Sequence, residues 1–164
     1  MQRRPLLCFL AVVAPCTPLA DGLKAQAVPL QWSVSVPNAP IQSGKPFLAV
    51  VHAIIPFGWH LYSMTQPAGG PMATIITSTE TSARVSGTIK ARAPDLNQVK
   101  YATTIVNETY DDSVSFVVPM VAGAKGTRVL EIEVRYQACT NRYCAFPRAD
   151  TVRARLRIEG ELPR

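Results

Sequence analysis

The sequence predicts one all-β domain, a sandwich or small barrel, and three observations carry that prediction. The segments 128–137 and 152–159 alternate between apolar and charged or polar residues, the period of a strand with one face in a core and the other in water. Shorter runs rich in Val, Ile and Thr are separated by Pro, Gly and Asn breaks, the punctuation of short strands joined by turns. No segment carries an amphipathic helical repeat.

Taken in order, Gln31 to Val36 reads as the first strand. Phe47 to Ile55 is a longer apolar run, suited to a strand buried on both faces or twisting through the core. It holds His52, expected as a packed core histidine. Pro56, Phe57 and Gly58 then break the run, and Trp59 to Ser63 resumes as a strand. Ala73 to Thr77 and Arg84 to Lys90 follow with β-branched character. Ala91 to Asp112 reads as an irregular stretch, long enough for a compact domain to make it either functional or mobile. Val114 to Val121 is another strand. Pro119 within it calls for an edge or a bulge, because proline donates no ladder hydrogen bond.

The last two strands are the clearest. Leu130, Ile132, Val134 and Tyr136 face one way and Glu131, Glu133, Arg135 and Gln137 the other. Val152, Ala154, Leu156 and Ile158 alternate with Arg153, Arg155, Arg157 and Glu159. Between them Ala138 to Asp150 reads as a loop. Seven or eight strands of this kind make a sandwich whose core needs no covalent staple.

Residues 1–27 are expected to be a secretory signal peptide and residues 28–164 the domain. Met1 to Arg4 is positive, Leu6 to Ala20 is mostly apolar, and Ala25, Gln26 and Ala27 make a small-x-small cleavage site. Pro5, Pro15 and Pro18 interrupt the apolar run, which is too short for a membrane span. No membrane span is expected once the leader is removed. The mature chain then carries 14 Lys and Arg against 10 Asp and Glu, a mild net charge of about +4. Nine of the 17 basic residues lie at or after Lys125. They read as a solvated strand face rather than a nucleic-acid footprint, which is usually stronger.

Removing the leader also removes Cys8 and Cys16. One close pair remains, Cys139 and Cys144, in a compartment that permits disulfides. Their chemistry has three readings. A structural bond would close a six-residue loop for roughly 2 kcal/mol of chain entropy and would join no two sheets. A reversible dithiol would use an accessible thiolate, which Arg142 inside the loop and Arg148 beyond it would favour. A metal site would take the two sulfurs as half a tetrahedron. His52, His60 and the soft thioethers of Met64, Met72 and Met120 would then be the other candidates, suited to Cu(I).

Tyr136, Gln137, Ala138 and Cys139, then four residues, then Cys144, Ala145, Phe146 and Pro147 resemble the active-site stretch of the N-terminal (alpha) domain of the thiol:disulfide interchange protein DsbD. Gly58 to Ser63 (GWHLYS) is similar to a second element of that family, and Tyr110, Asp111 and Asp112 ahead of Val117 to Pro119 to a third. The three stretches occur in the family's order. The resemblance implies an immunoglobulin-like β-sandwich with an active-site loop between the last two long strands. It implies periplasmic electron transfer with no cofactor beyond a redox-active disulfide. Cys144 would form the mixed disulfides and Cys139 would resolve them. Electrons would come from a thioredoxin-like domain or a DsbD/CcdA-type membrane reductase and pass to oxidised periplasmic client proteins. Expected to line the site are His60 and Tyr62, which share a strand face, with Tyr101, Tyr136, Arg142, Phe146 and Pro147. His60 titrates near neutral pH and could modulate a thiolate.

In the family an acidic-aromatic loop caps the disulfide. The corresponding region here, Leu96 to Asn107, offers only Tyr101 as an aromatic. The family's membrane and thioredoxin-like domains have no counterpart in this sequence, so the expected protein is a module that borrows its reductant. The competing expectations are a binding module with a permanent disulfide and a Cu(I)-handling protein.

Overall fold

The computed structural model describes residues 28–79, 82–100 and 104–160. The expected signal peptide and Tyr101 lie outside them. The chain folds as an all-β immunoglobulin-like sandwich with no helix among the described residues. Its strands are β1 (Gln31–Ser35), β2 (Ile41–Gln42), β3 (Pro46–Ile54), β4 (Trp59–Tyr62), β5 (Ile75–Ser78) and β6 (Ala83–Val85). They continue with β7 (Asp95–Lys100), β8 (Thr104–Tyr110), β9 (Ser113–Ala122), β10 (Gly126–Tyr136), β11 (Ala138–Thr140) and β12 (Arg148–Glu159).

Three four-stranded sheets result, ordered β1-β3-β9-β6, β2-β12-β10-β5 and β11-β4-β8-β7. One buried apolar cluster joins the first two. It takes Ala49, Val51 and Ala53 from β3, Val114, Phe116, Val118 and Met120 from β9, Leu130, Ile132 and Val134 from β10, and Leu156 and Ile158 from β12. The alternation read from 128–137 and 152–159 therefore does face the core. On the outer face Glu131 pairs in register with Arg153 and accepts its Nε–H at 2.5 Å. The third sheet reaches the same core through Leu61 and Tyr110 and turns its far side to the candidate site.

The structure corrects four sequence-based expectations. The stretch Ala91 to Asp112 is not irregular, since it holds the antiparallel pair β7·β8, in register from Asp95↔Thr109 to Lys100↔Thr104. β7 is largely polar, and the β-branched and aromatic residues of β8 are split by Asn107 and Glu108, so no apolar alternation marks the pair. Arg84 to Lys90 is a strand only as far as Val85, with Lys90 returning in an isolated bridge to Val117. His52 is half-buried on the outer face of β3, hydrogen-bonded to Ser115 across the ladder at 2.9 Å, rather than packed in the core. The strand containing Pro119 is flanked on both sides, by β3 and by β6. The proline is accommodated because its backbone faces β6, where pairing stops at Val85↔Met120. Only its carbonyl is used there, accepting the Ser86 N–H at 2.9 Å.

Two turns position the site. Between β3 and β4 the Trp59 N–H donates to Pro56 O at 3.0 Å, with Gly58 at φ 82. That is a type II turn, which needs glycine at its third position. Between β8 and β9, Asp112 takes φ 60, a left-handed conformation aspartate tolerates. The turn leaves Asp111 beside β4.

Candidate active site

The stretch expected to be a loop from Ala138 to Asp150 begins and ends in strand, with irregular chain and one isolated bridge between. After β10 ends at Tyr136, β11 runs to Thr140, and the chain reverses over Asn141 and Arg142. Residues Tyr143 to Ala145 return antiparallel. The Thr140 N–H donates to Tyr143 O at 2.8 Å and the Ala145 N–H to Ala138 O at 3.0 Å. The Thr140 hydroxyl accepts the N–H groups of Arg142 and Tyr143, each at 3.2 Å, so the threonine braces the turn with its own side chain.

Cys139 and Cys144 lie directly opposite each other in this hairpin and form a disulfide, with their Cα atoms 3.9 Å apart. The two sulfur-bearing residues differ in environment. Cys139 is 2% exposed, whereas Cys144 is exposed. The other edge of β11 pairs with β4, Cys139 opposite His60 and Thr140 opposite Trp59. His60, Cys139 and Cys144 thus form one row across three neighbouring strands. Directly opposed residues of an antiparallel ladder share a face.

That row borders a cleft of about 660 Å³, walled by β4, the β7·β8 pair, the segment Gly69–Pro71 and the cysteine hairpin. His60, Tyr62 and Arg142 line it, as does the disulfide itself. Tyr136 does not. It is 1% exposed behind the hairpin, 5.2 Å from Trp32 by ring centroids, and its hydroxyl donates to Asp150. Phe146 and Pro147 follow the hairpin on the exposed outgoing chain and are not part of the cleft wall. Phe146 is 87% exposed.

Several residues at the site were not among the site residues expected from the sequence. Asp111 faces His60 Nδ1 at 2.5 Å, and Asn141 Oδ1 faces His60 Nε2 at 2.9 Å. Burial of the imidazole lowers its pKa, but the hydrogen bonds to Asp111 and Asn141, with the charge of Asp111, outweigh it, so His60 is raised above its ordinary value. Burial pushes the Tyr62 phenol up as well. Asn97, Asn107 and Thr109 supply the opposite wall, where Asn97 Nδ2 donates to the Thr109 hydroxyl at 3.0 Å. Tyr143 meets Trp59 edge-on with ring centroids 5.7 Å apart, a favourable aromatic geometry at the hairpin's flank.

Gln137 holds two of these walls together. Its Oε1 accepts the Met72 N–H at 2.8 Å and its Nε2 donates to Ala145 O at 3.0 Å. Glu108 does the same for the chain after β4, where the hydroxyls of Ser63 and Thr65 both donate to its Oε2 and its own N–H donates to Gln66 Oε1 at 2.7 Å. His52 and His60 belong to different sheets and each already has a side-chain partner.

The arrangement presents one attackable sulfur, on Cys144, and a second shielded sulfur beside a histidine. Attack on the exposed sulfur displaces the buried one as leaving group. Comparison with known proteins bears on this chemistry. A family model described as thiol:disulfide interchange protein DsbD, N-terminal, matches residues 27–156. None of the curated proteins matches the chain. Among solved structures, the N-terminal periplasmic domain of ScsB from Proteus mirabilis is 16% identical with a TM-score of 0.53, covering 76% of this chain and 45% of that one. The chain thus spans less than half of that ScsB domain. The DsbD N-terminal domain from Neisseria meningitidis, solved in its reduced form, is 12% identical with a TM-score of 0.48, covering 66% of this chain and 77% of that one.

Proposed function

The chain belongs to the family of DsbD N-terminal domains, and on that premise we propose that it is a periplasmic thiol–disulfide electron-transfer module. Cys144 and Cys139 are its reacting groups. The observation that carries the reading is the asymmetry of the cystine, in which Cys144 is exposed and Cys139 is 2% exposed while both line one cleft. A permanent staple has no need of that asymmetry. Nor does this bond link two sheets, since it joins the two arms of one hairpin.

In the oxidised module a thiolate from a thioredoxin-like reductant attacks Cys144 Sγ. The Cys139–Cys144 bond breaks, a mixed disulfide forms on Cys144, and Cys139 departs with the electron pair. The partner's second thiolate then attacks its own mixed-disulfide sulfur and leaves the module as a dithiol. The reverse sequence delivers the two electrons to an oxidised client protein. The partners are a thioredoxin-like domain or a membrane reductase on one side and oxidised periplasmic proteins on the other. The cleft wall, with His60, Tyr62 and Arg142 beside the sulfurs, orients them. The periplasmic assignment is supported by family membership and by the described location of the ScsB domain.

Equilibration of the mature domain with glutathione buffers tests the reading. A potential above about −300 mV marks a working couple, whereas a lower one marks a structural bond. A Cys139→Ala variant, which cannot resolve, should accumulate a mixed disulfide when its free Cys144 thiolate attacks the disulfide of an oxidised thioredoxin-like partner and releases one of that partner's sulfurs as a thiolate. Absence of any such adduct, with a potential in the structural range, would leave only a binding module.

A further inference from the structure

We propose that His60 is the proton acceptor for Cys139 when Cys139 resolves a mixed disulfide on Cys144, with Asp111 orienting the imidazole. The inference rests on the redox reading above and assigns to a side chain a step that reading leaves open.

The need for such a group comes from burial. Cys139 is 2% exposed, so its thiol has little access to bulk water as a proton acceptor, and desolvation disfavours the thiolate that must attack. The groups that could take the proton are few. The titratable or charged side chains on the cleft wall are His60 and Tyr62 on β4, Asp111 after β8, and Arg142 and Tyr143 in the hairpin. Arg92 stands behind Asp111, its guanidinium donating to Asp111 O at 3.3 Å. Arginine holds its proton throughout the working range and tyrosine loses its own only near pH 10. Asp111 is already engaged with His60. Imidazole is the one side chain among them that titrates near neutral pH.

The geometry favours the same residue. His60 is the register partner of Cys139 in the β4·β11 ladder, and Cys139 is the register partner of Cys144 in the hairpin. All three side chains border one cleft. Asp111 occupies Nδ1, which leaves Nε2 as the nitrogen turned to the hairpin, where it meets Asn141 Oδ1 in the oxidised state. A carboxylate on one ring nitrogen fixes the tautomer and orientation of the other. In the Asn141 contact Nε2–H donates to Oδ1. When the disulfide is open and His60 is neutral, with its proton on Nδ1 toward Asp111, Nε2 accepts from the Cys139 thiol instead.

The step balances as follows. With a client sulfur bound to Cys144, the Cys139 S–H gives its proton to His60 Nε2 and its sulfur attacks Cys144 Sγ. The Cys139–Cys144 bond forms, the bond from Cys144 to the client sulfur breaks, and the electron pair leaves on the client thiolate. The imidazolium then releases its proton to that thiolate or to water. Two electrons pass from the dithiol to the client disulfide, and no further reductant is needed.

The test uses dithiobis(nitrobenzoate), an aromatic disulfide that releases a coloured thiolate, mixed rapidly with the reduced domain. The first release reports attack by Cys144 and the second reports resolution by Cys139. In the unsubstituted protein the second rate should rise with an inflection in the imidazole range and then level off. His60→Gln should slow it about 10²–10⁴-fold at neutral pH, the range for a positioned general base. It should also replace the inflection with a rise that follows thiol ionisation. Asp111→Asn should move the inflection to lower pH. A second release that follows only thiol ionisation in the unsubstituted protein overturns the inference, and that measurement needs no variant to fold. Equal slowing of His60→Gln at every pH overturns it as well, because it marks a merely structural residue. Failure of the first release would instead sink the redox reading itself.

Discussion

Tyr136 donates its phenolic proton to Asp150 Oδ2 at 2.7 Å, tying the strand that enters the cysteine hairpin to the strand that leaves it. The residue expected to line the site instead supports it from behind. Burial, with the Asp150 hydrogen bond second, pushes the phenol up to about 12. The unfolded chain ionises its tyrosines near pH 10, so the folded pKa lies above the unfolded one. The contribution is therefore complete below about pH 10 and is lost as the pH rises toward the folded value. Urea unfolding of the unsubstituted domain should show stability falling in that window. Tyr136→Phe should cost about 1–3 kcal/mol at neutral pH and remove much of the alkaline slope. The remainder belongs to Tyr62 and Tyr110, which burial also pushes up. An alkaline slope unchanged by the substitution would refute the assignment.

Gln137 bridges Met72 and Ala145 through both ends of its amide. Gln137→Ala should destabilise the domain by about 1–3 kcal/mol, since it strips partners from two part-buried backbone groups. The Met72 amide should lose protection in hydrogen exchange, while core amides such as that of Val118 lose only what the global change dictates. Retained protection at Met72 would mean the bridge does not hold the cleft wall.

The environments of the two cysteines set an order of reactivity. After reduction and brief treatment with iodoacetamide under native conditions, peptide mass analysis should find Cys144 modified well ahead of Cys139, because Cys139 is 2% exposed and Cys144 is exposed. Denaturant should abolish the difference. Equal labelling of the native protein would contradict the proposed division of roles.

Leu130 and Leu96 make a paired test of the core. Leu130 is fully buried and Leu96 is 67% exposed. Leu130→Ala should cost about 2–5 kcal/mol, the transfer and cavity terms together. Leu96→Ala should stay within about 0.5 kcal/mol, as substitutions away from buried features do. Thermal unfolding of both variants measures the contrast.

The parts of the fold legible in the sequence were those whose information is local. The inward row Leu130, Ile132, Val134 and Tyr136 needs only its own alternation to be read, because side chains two apart share a strand face. Gly58 announces its turn because few other residues adopt a positive φ. The β7·β8 pair stayed hidden, since polar residues such as Asn97, Asn107 and Thr109 face a cleft and not a core. Pro119 was read as an edge signal, yet its strand is interior, because the short partner β6 ends before the proline.

By itself the sequence determined the all-β class, the two faces of the long strands and the pair of sulfurs five residues apart. Those features reside in residue types and near spacing, which the chain carries before it folds. Only the tertiary structure decided which sulfur is exposed and what stands beside the other. His60 reaches Asp111 across 51 positions and Asn141 across 81. Contacts over such separations are fixed by strand pairing and by the burial of a shared core, and no local pattern encodes them.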